Sequence, residues 1–269
     1  MTPLPVRPRR LRSVAASVAL VAAATALLTV APGPAPAQAA AQTYYASPGD
    51  NLAAMLTNLR PGDSLLLRPG VYDVGYLRPN ITPGTPNAVI SFGAADRAHP
   101  PLLRGLVKLF GPSYWVLSGL RVQATQPSFE ALYMGGGTGW RVMNSEFFGA
   151  RQTGAYDNVV RDNYIAGSGM AGFTIHAHLP GGEDVNGNKV VGNDFGTNNV
   201  GGDGFDGPPG PTNFATTAIA VYSAPTVEMT IRGNHIHDNA IGIWLSTTVT
   251  AHGLTTNHFH NVPTHVVTG

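Results

Sequence analysis

Between Asn158 and Phe259 one short pattern returns four times: Arg161-Asp162-Asn163-Tyr164-Ile165, Val191-Gly192-Asn193-Asp194-Phe195, Arg232-Gly233-Asn234-His235-Ile236 and Thr255-Thr256-Asn257-His258-Phe259. Each copy is a β-rich run, an Asn, one free residue and a large apolar one. Aligned on the Asn, the copies stand 30, 41 and 23 residues apart, and two degenerate copies precede them, Gly119-Leu120-Arg121-Val122 and Asn144-Ser145-Glu146-Phe147. A repeat with a minimum near 20 residues, whose extra residues always fall in the same part of the unit, is the pattern of a solenoid of stacked coils. The coils are β-rich and punctuated by glycine, with no helical period, so each reads as one turn of a parallel β-helix. The Asn is expected at a bend with left-handed dihedrals, which Asn tolerates, its amide hydrogen-bonding to the Asn of the next coil.

The first 39 residues read differently. Arg7, Arg9, Arg10 and Arg12 precede an apolar run from Val14 to Val30, and Ala37-Gln38-Ala39 is a small-x-small cleavage site. This is the organisation of a secretory signal peptide, so residues 1–39 are expected to be removed, leaving residues 40–269 as one extracellular domain without a membrane span. Loss of those four arginines takes the formal charge from +1 to −3. A mildly acidic mature chain argues against nucleic acid as the partner. The chain has no Cys, so a packed core rather than disulfides must hold an exported fold together. A monomer is expected.

The head of the domain carries one helix and the first coils. Asp50-Asn51 is a helix N-cap, Leu52, Met55, Leu56 and Leu59 follow at helical spacing, and Pro61-Gly62 ends the run. One amphipathic helix here suits a cap over the open apolar end of a solenoid. The run Pro61-Gly62-Asp63-Ser64-Leu65-Leu66-Leu67-Arg68-Pro69-Gly70-Val71-Tyr72, with Asn87-Ala88-Val89-Ile90-Ser91-Phe92 and Tyr114-Trp115-Val116-Leu117-Ser118-Gly119-Leu120, resembles the N-terminal coils of secreted proteins of the pectate-lyase-like superfamily. The Asn-bearing coils resemble the same family, so the likeness spans nearly the whole mature chain. It implies an all-β, single-stranded, right-handed parallel β-helix with three strands per coil and a groove beside the first strand. On activity it is nearly silent, because the superfamily includes lyases, hydrolases, epimerases and members without known catalysis.

In this register the run before each Asn is the second strand, the pair after it the third, and the next apolar alternation the first strand of the following coil. Those first strands are Gly172-Phe173-Thr174-Ile175-His176-Ala177-His178, Ala218-Ile219-Ala220-Val221-Tyr222-Ser223 and Ile241-Gly242-Ile243-Trp244-Leu245-Ser246. Alternation points Phe173, Ile175, Ile219, Val221, Ile241, Ile243 and Leu245 inward. His176, Tyr222 and Trp244 are then expected in one outward column beside Thr174, Ala220 and Gly242, whose small size leaves a trough. The column reads either as a sugar-stacking surface, joined by His178 and Phe205, or as side-chain ladders between coils. The long insertion from Thr197 to Thr216 is expected to overhang this groove.

A lyase acting on an acidic glycan needs a cation against the substrate carboxylate and a base for the C5 proton. Asp203 and Asp206 in the insertion, with Glu183 and Asp184, are the acids placed to hold Ca²⁺, or they solvate a glycine-rich loop. Asp203-Gly204-Phe205-Asp206 resembles an Asp-Gly-Phe-Asp element of some calcium-dependent lyases of this fold. Lys189 and Arg161 are the candidate bases. His-x-His pairs put two imidazoles on one face of a strand, so His235 and His237, with His258 and His260, read either as a transition-metal site or as outward polar positions. The functional expectation is a polysaccharide-active lyase on an acidic glycan; the alternative is a non-catalytic glycan-binding or cell-surface β-helix.

Overall fold

A buried Asn at the same corner of four successive coils sets the architecture of this chain. The structure, a computed structural model, describes residues 40–125, 130–148, 150–153, 158–166, 171–177, 184–198 and 217–269. Asn163 Nδ2 donates to Asn193 Oδ1 at 3.1 Å, Asn193 Nδ2 to Asn234 Oδ1 at 3.0 Å, and Asn234 Nδ2 to Asn257 Oδ1 at 2.8 Å. Each Oδ1 also accepts the backbone N–H of the preceding Asn. The ladder continues toward the head of the solenoid, where Ser145 N–H donates to Asn163 Oδ1 and Leu120 N–H to Ser145 Oγ. All these polar groups are buried and all are paired, as burial demands.

The left-handed residue is not the Asn. Positive φ falls one residue earlier, at Asn144, Asp162, Gly192 and Gly233. The physical reason is division of labour: the ladder Asn must aim its amide along the stack, so its predecessor absorbs the bend, and Gly, Asp and Asn tolerate that conformation best.

Two further ladders were not legible in the repeat. Asn158 N–H and Nδ2 both donate to Asn188 Oδ1, and Asn198 Nδ2 donates to Asn239 Oδ1.

Between the corners the strands pair in parallel throughout. Among the described residues, second strands form a nine-stranded sheet running from Thr43–Ala46 to Val249–His252. Third and first strands belong to one larger sheet, joined through the long strand Leu102–Phe110. Its Leu102–Arg104 half pairs with third strand Arg121–Gln123, and its Val107–Phe110 half pairs with first strand Leu132–Gly135. Three parallel strands per coil, linked by right-handed crossovers, give the parallel β-helix that the repeat predicts.

Inside, apolar residues stack coil upon coil. Phe147, Ile165, Phe195 and Ile236 are buried in one column, and Phe259 closes it half-buried. The short helix Leu52–Thr57 starts where Asn51 Oδ1 accepts the Ala54 N–H at 3.0 Å, and it buries Leu52 and Leu56, with Leu59 beyond its end. It therefore caps the core at the head of the solenoid. No described helix is long and apolar enough to cross a membrane.

Candidate functional site

The outer face of the first strands is built from columns of residues one coil apart, about 4.8 Å per step. Paired positions define one column as Lys108, Tyr133, Arg151, Thr174, Ala220, Trp244 and Val267. Arg78 follows Leu77, the partner of Val107, and so stands one coil before Lys108. The neighbouring column is Phe110, Gly135, Thr153, His176 and Tyr222.

At the head of these columns cations and rings are interleaved. Lys108 Nζ lies 4.2 Å from the Tyr133 ring centroid and 5.3 Å from that of Phe110. The Arg78 guanidinium sits 4.8 Å over the other part of this surface, the Phe110 ring, which is 42% exposed. Phe110 and Tyr133 pack against each other at 5.5 Å, tilted by 48°. Gly135 makes this contact fit: a Cβ there would come within 2.8 Å of the Phe110 ring and 2.9 Å of the Tyr133 ring. The result is an aromatic platform of two tilted rings that carries positive charge. An apolar sugar face can lie on such rings while its carboxylate meets a cation.

This part of the site escaped the reading of the repeat. The signal was present at the end of Leu102–Phe110, where alternation places Lys108 and Phe110 on one face and Val107 and Leu109 inside. It was hidden because these coils precede the Asn motif.

The aromatic column expected at the other end is corrected in two ways. His176 does pair with Tyr222, their rings 6.4 Å apart, but Trp244 pairs with Ala220, two residues short of Tyr222. Strand Ile241–Leu245 aligns Ile243 with Ile219, which lowers Trp244 by one outward position. Trp244 is also only 1% exposed and clusters with Ala171 and Ala220, so the small Ala220 accommodates the indole rather than flooring a trough. Ile241 packs on this outer cluster instead of the core, and Gly242 faces the Phe259 ring. His176 is buried as well, at 2% exposure, and Tyr222 is half-buried.

The two candidate bases lie elsewhere. Lys189 and Arg161 are exposed on the second-strand sheet, on neighbouring outward columns that also carry Arg141 and Arg232. The structure does not bring them together with His176 and Tyr222 of the first-strand face. Arg161 instead contacts Asp162 at 3.3 Å and Met143 Sδ at 3.8 Å.

Of the four acids expected around calcium, Asp203, Asp206 and Glu183 lie outside the described residues, as do His178 and Phe205. Asp184 is exposed and its Oδ1 accepts the Asn186 N–H at 2.8 Å, an Asx turn that ties it locally.

The four histidines of the His-x-His pairs do stack. His235 pairs with His258 and His237 with His260, and Asp194 stands one coil before His235. His258 and His260 are exposed; His235, His237 and Asp194 bring one ligand atom each to within 4.8 Å of one another.

No protein-family model and no curated protein matches the chain. Solved structures do. The pectate lyase Pel9A aligns with a TM-score of 0.57 at 16% identity, over 78% of this chain and 60% of that one. An alginate lyase from Paenibacillus sp. str. FPU-7 aligns at 0.49 and 15% identity, over 84% of this chain and 97% of that chain. A mannuronic acid specific polysaccharide family 6 lyase from human gut microbiota aligns at 0.45 and 16% identity, over 76% and 53%. With its all-parallel sheets and three strands per coil, the chain shares the pectate-lyase-like parallel β-helix fold.

Proposed function

We propose that this chain is an exported lyase acting on an acidic polysaccharide, which it holds on the first-strand face at Arg78, Lys108, Phe110 and Tyr133. The observation that carries the reading is the Lys108 ammonium standing over two packed aromatic rings, one coil from Arg78. Successive sugar carboxylates of a polyuronate present negative charge at a regular spacing, and a column of cations spaced by the coil answers it. The basic residues and cleavage site within residues 1–39 support export.

The chemistry follows from what each group can do. A guanidinium stays charged, so Arg78 neutralises the carboxylate next to C5 and acidifies the C5 proton. Lys108 serves as the base that takes that proton. The released electron pair forms the C4–C5 double bond, the C4–O4 bond breaks, and the leaving oxygen takes a proton from solvent. Tyr133 and Phe110 hold the ring plane while Lys108 acts. Calcium held by acids such as Asp184 would add positive charge against a further carboxylate.

The test is rising ultraviolet absorbance from the unsaturated product on pectate, alginate and glycosaminoglycans, with and without Ca²⁺. Lys108→Ala should lose both binding and product. Lys108→Arg keeps the charge and should retain binding while losing product, and Lys189→Ala, on the other sheet, should change neither. Binding of these glycans without cleavage by the unaltered protein would establish a glycan-binding module instead.

A further inference from the structure

The third-strand face, which the proposed glycan site does not use, carries a second constellation. Outward positions there run in register through Tyr164, Asp194, His235 and His258. Alternation in His235-Ile236-His237 buries Ile236 and puts both imidazoles outside, their rings stacked at 5.1 Å and 30°. From the previous coil Asp194 Oδ1 reaches His235 Nδ1 at 3.1 Å and His237 Nε2 at 3.4 Å.

The second nitrogen of His237 is fixed from behind. Its Nδ1 lies 2.8 Å from Asp238 Oδ2, and Asn261 Nδ2 donates to Asp238 Oδ1 at 2.8 Å. A carboxylate on Nδ1 holds the proton there and leaves the Nε2 lone pair aimed at Asp194 and His235. Carboxylate–histidine pairs of this kind orient metal-ligating imidazoles.

We infer that Asp194, His235 and His237 form a binding site for a first-row divalent cation, Zn²⁺ by its ligand chemistry, with Asp238 as the positioning residue for His237. Two imidazole nitrogens and one carboxylate oxygen are a donor set that favours zinc over calcium, and three protein ligands leave a fourth position open for water or an exchangeable group. His235 binds through Nδ1, its proton moving to Nε2. The ion links two consecutive coils, Asp194 in one and both imidazoles in the next, so its binding stabilises the folded solenoid. His258 and His260, one coil further, stand outside the set.

The experiment is Zn²⁺ titration of the protein followed by calorimetry and by imidazole NMR, with Ca²⁺ as the second cation. One equivalent of Zn²⁺ should bind, shift the His235 and His237 signals and raise the melting temperature, while Ca²⁺ leaves these imidazoles unmoved. Asp238→Asn should weaken binding by about 10–100-fold, and His237→Ala or Asp194→Asn should abolish it. All three positions are surface ones, so unfolding midpoints without metal report whether each variant keeps its fold; Asp194→Asn decides if His237→Ala does not. The inference is overturned by no imidazole shift at stoichiometric Zn²⁺, by shifts confined to His258 and His260, or by undiminished binding in Asp194→Asn. None of these outcomes bears on Lys108, so this site and the lyase reading stand or fall separately.

Discussion

Replacing Asn193 by Leu tests the logic of the fold at one atom pair. Asn193 is 1% exposed, and its side chain makes four hydrogen bonds. Oδ1 accepts the Asn163 N–H and Asn163 Nδ2, both at 3.1 Å, while Nδ2 donates to Val160 O and Asn234 Oδ1, both at 3.0 Å. In the Leu variant not every partner is orphaned. Asn163 Nδ2 keeps Val142 O, and Asn234 Oδ1 keeps the Asn193 N–H. The Asn163 N–H loses its acceptor outright, and Val160 O loses its side-chain donor. A buried donor left unsatisfied costs about 1–3 kcal/mol and a lost net hydrogen bond about 1 kcal/mol, which together give a loss of about 2–4 kcal/mol. Urea unfolding followed by circular dichroism reads the change as a lower midpoint at unchanged slope. A loss below about 0.5 kcal/mol for Asn193→Leu would refute the reasoning, because it would mean that the ladder is no better than any apolar filling of the corner.

Two other substitutions separate site from scaffold. Gly135→Val should push the Phe110 and Tyr133 rings apart and weaken glycan binding, measured by affinity electrophoresis, since a Cβ already meets both rings. Trp244→Ala should cost about 3–5 kcal/mol of stability in thermal or urea unfolding, as for a large buried aromatic, with little effect on glycan affinity.

The repeat made the coil legible because its Asn is under a physical constraint that every coil shares. A buried amide must find partners, and an Asn one coil away supplies them in register. The inward columns followed from alternation for the same reason: Ile175, Val221 and Ile243 face one core. What escaped was the register of the first strands beyond the ladder. The segments between third and first strand differ in length, so alternation alone could not say that Trp244 stands level with Ala220 rather than Tyr222. Lys108 escaped for a different reason. Its strand is long and precedes the Asn motif, where nothing in the sequence anchors the coil, and the low net charge concealed that Arg78, Lys108 and Arg151 share one column.

A solenoid converts separations along the chain into equal steps along its axis, and this decides how a site can form on it. Lys108 stands 30 residues after Arg78, yet the two are one coil apart, as are Asp194 and His235 at 41. Extra residues in a turn leave that step unchanged, because parallel strand pairing fixes each coil to the next whatever lies between. A functional column therefore needs only the right residue type at the right corner offset, with no adjustment of the backbone. Of the two lysines in the chain, one meets that condition on the first-strand face and the other on the second-strand sheet, separated by the core. Chemistry that needs a lysine together with the Phe110 and Tyr133 rings can use Lys108 alone, so a glycan that is processed here must run along the column that starts at Arg78.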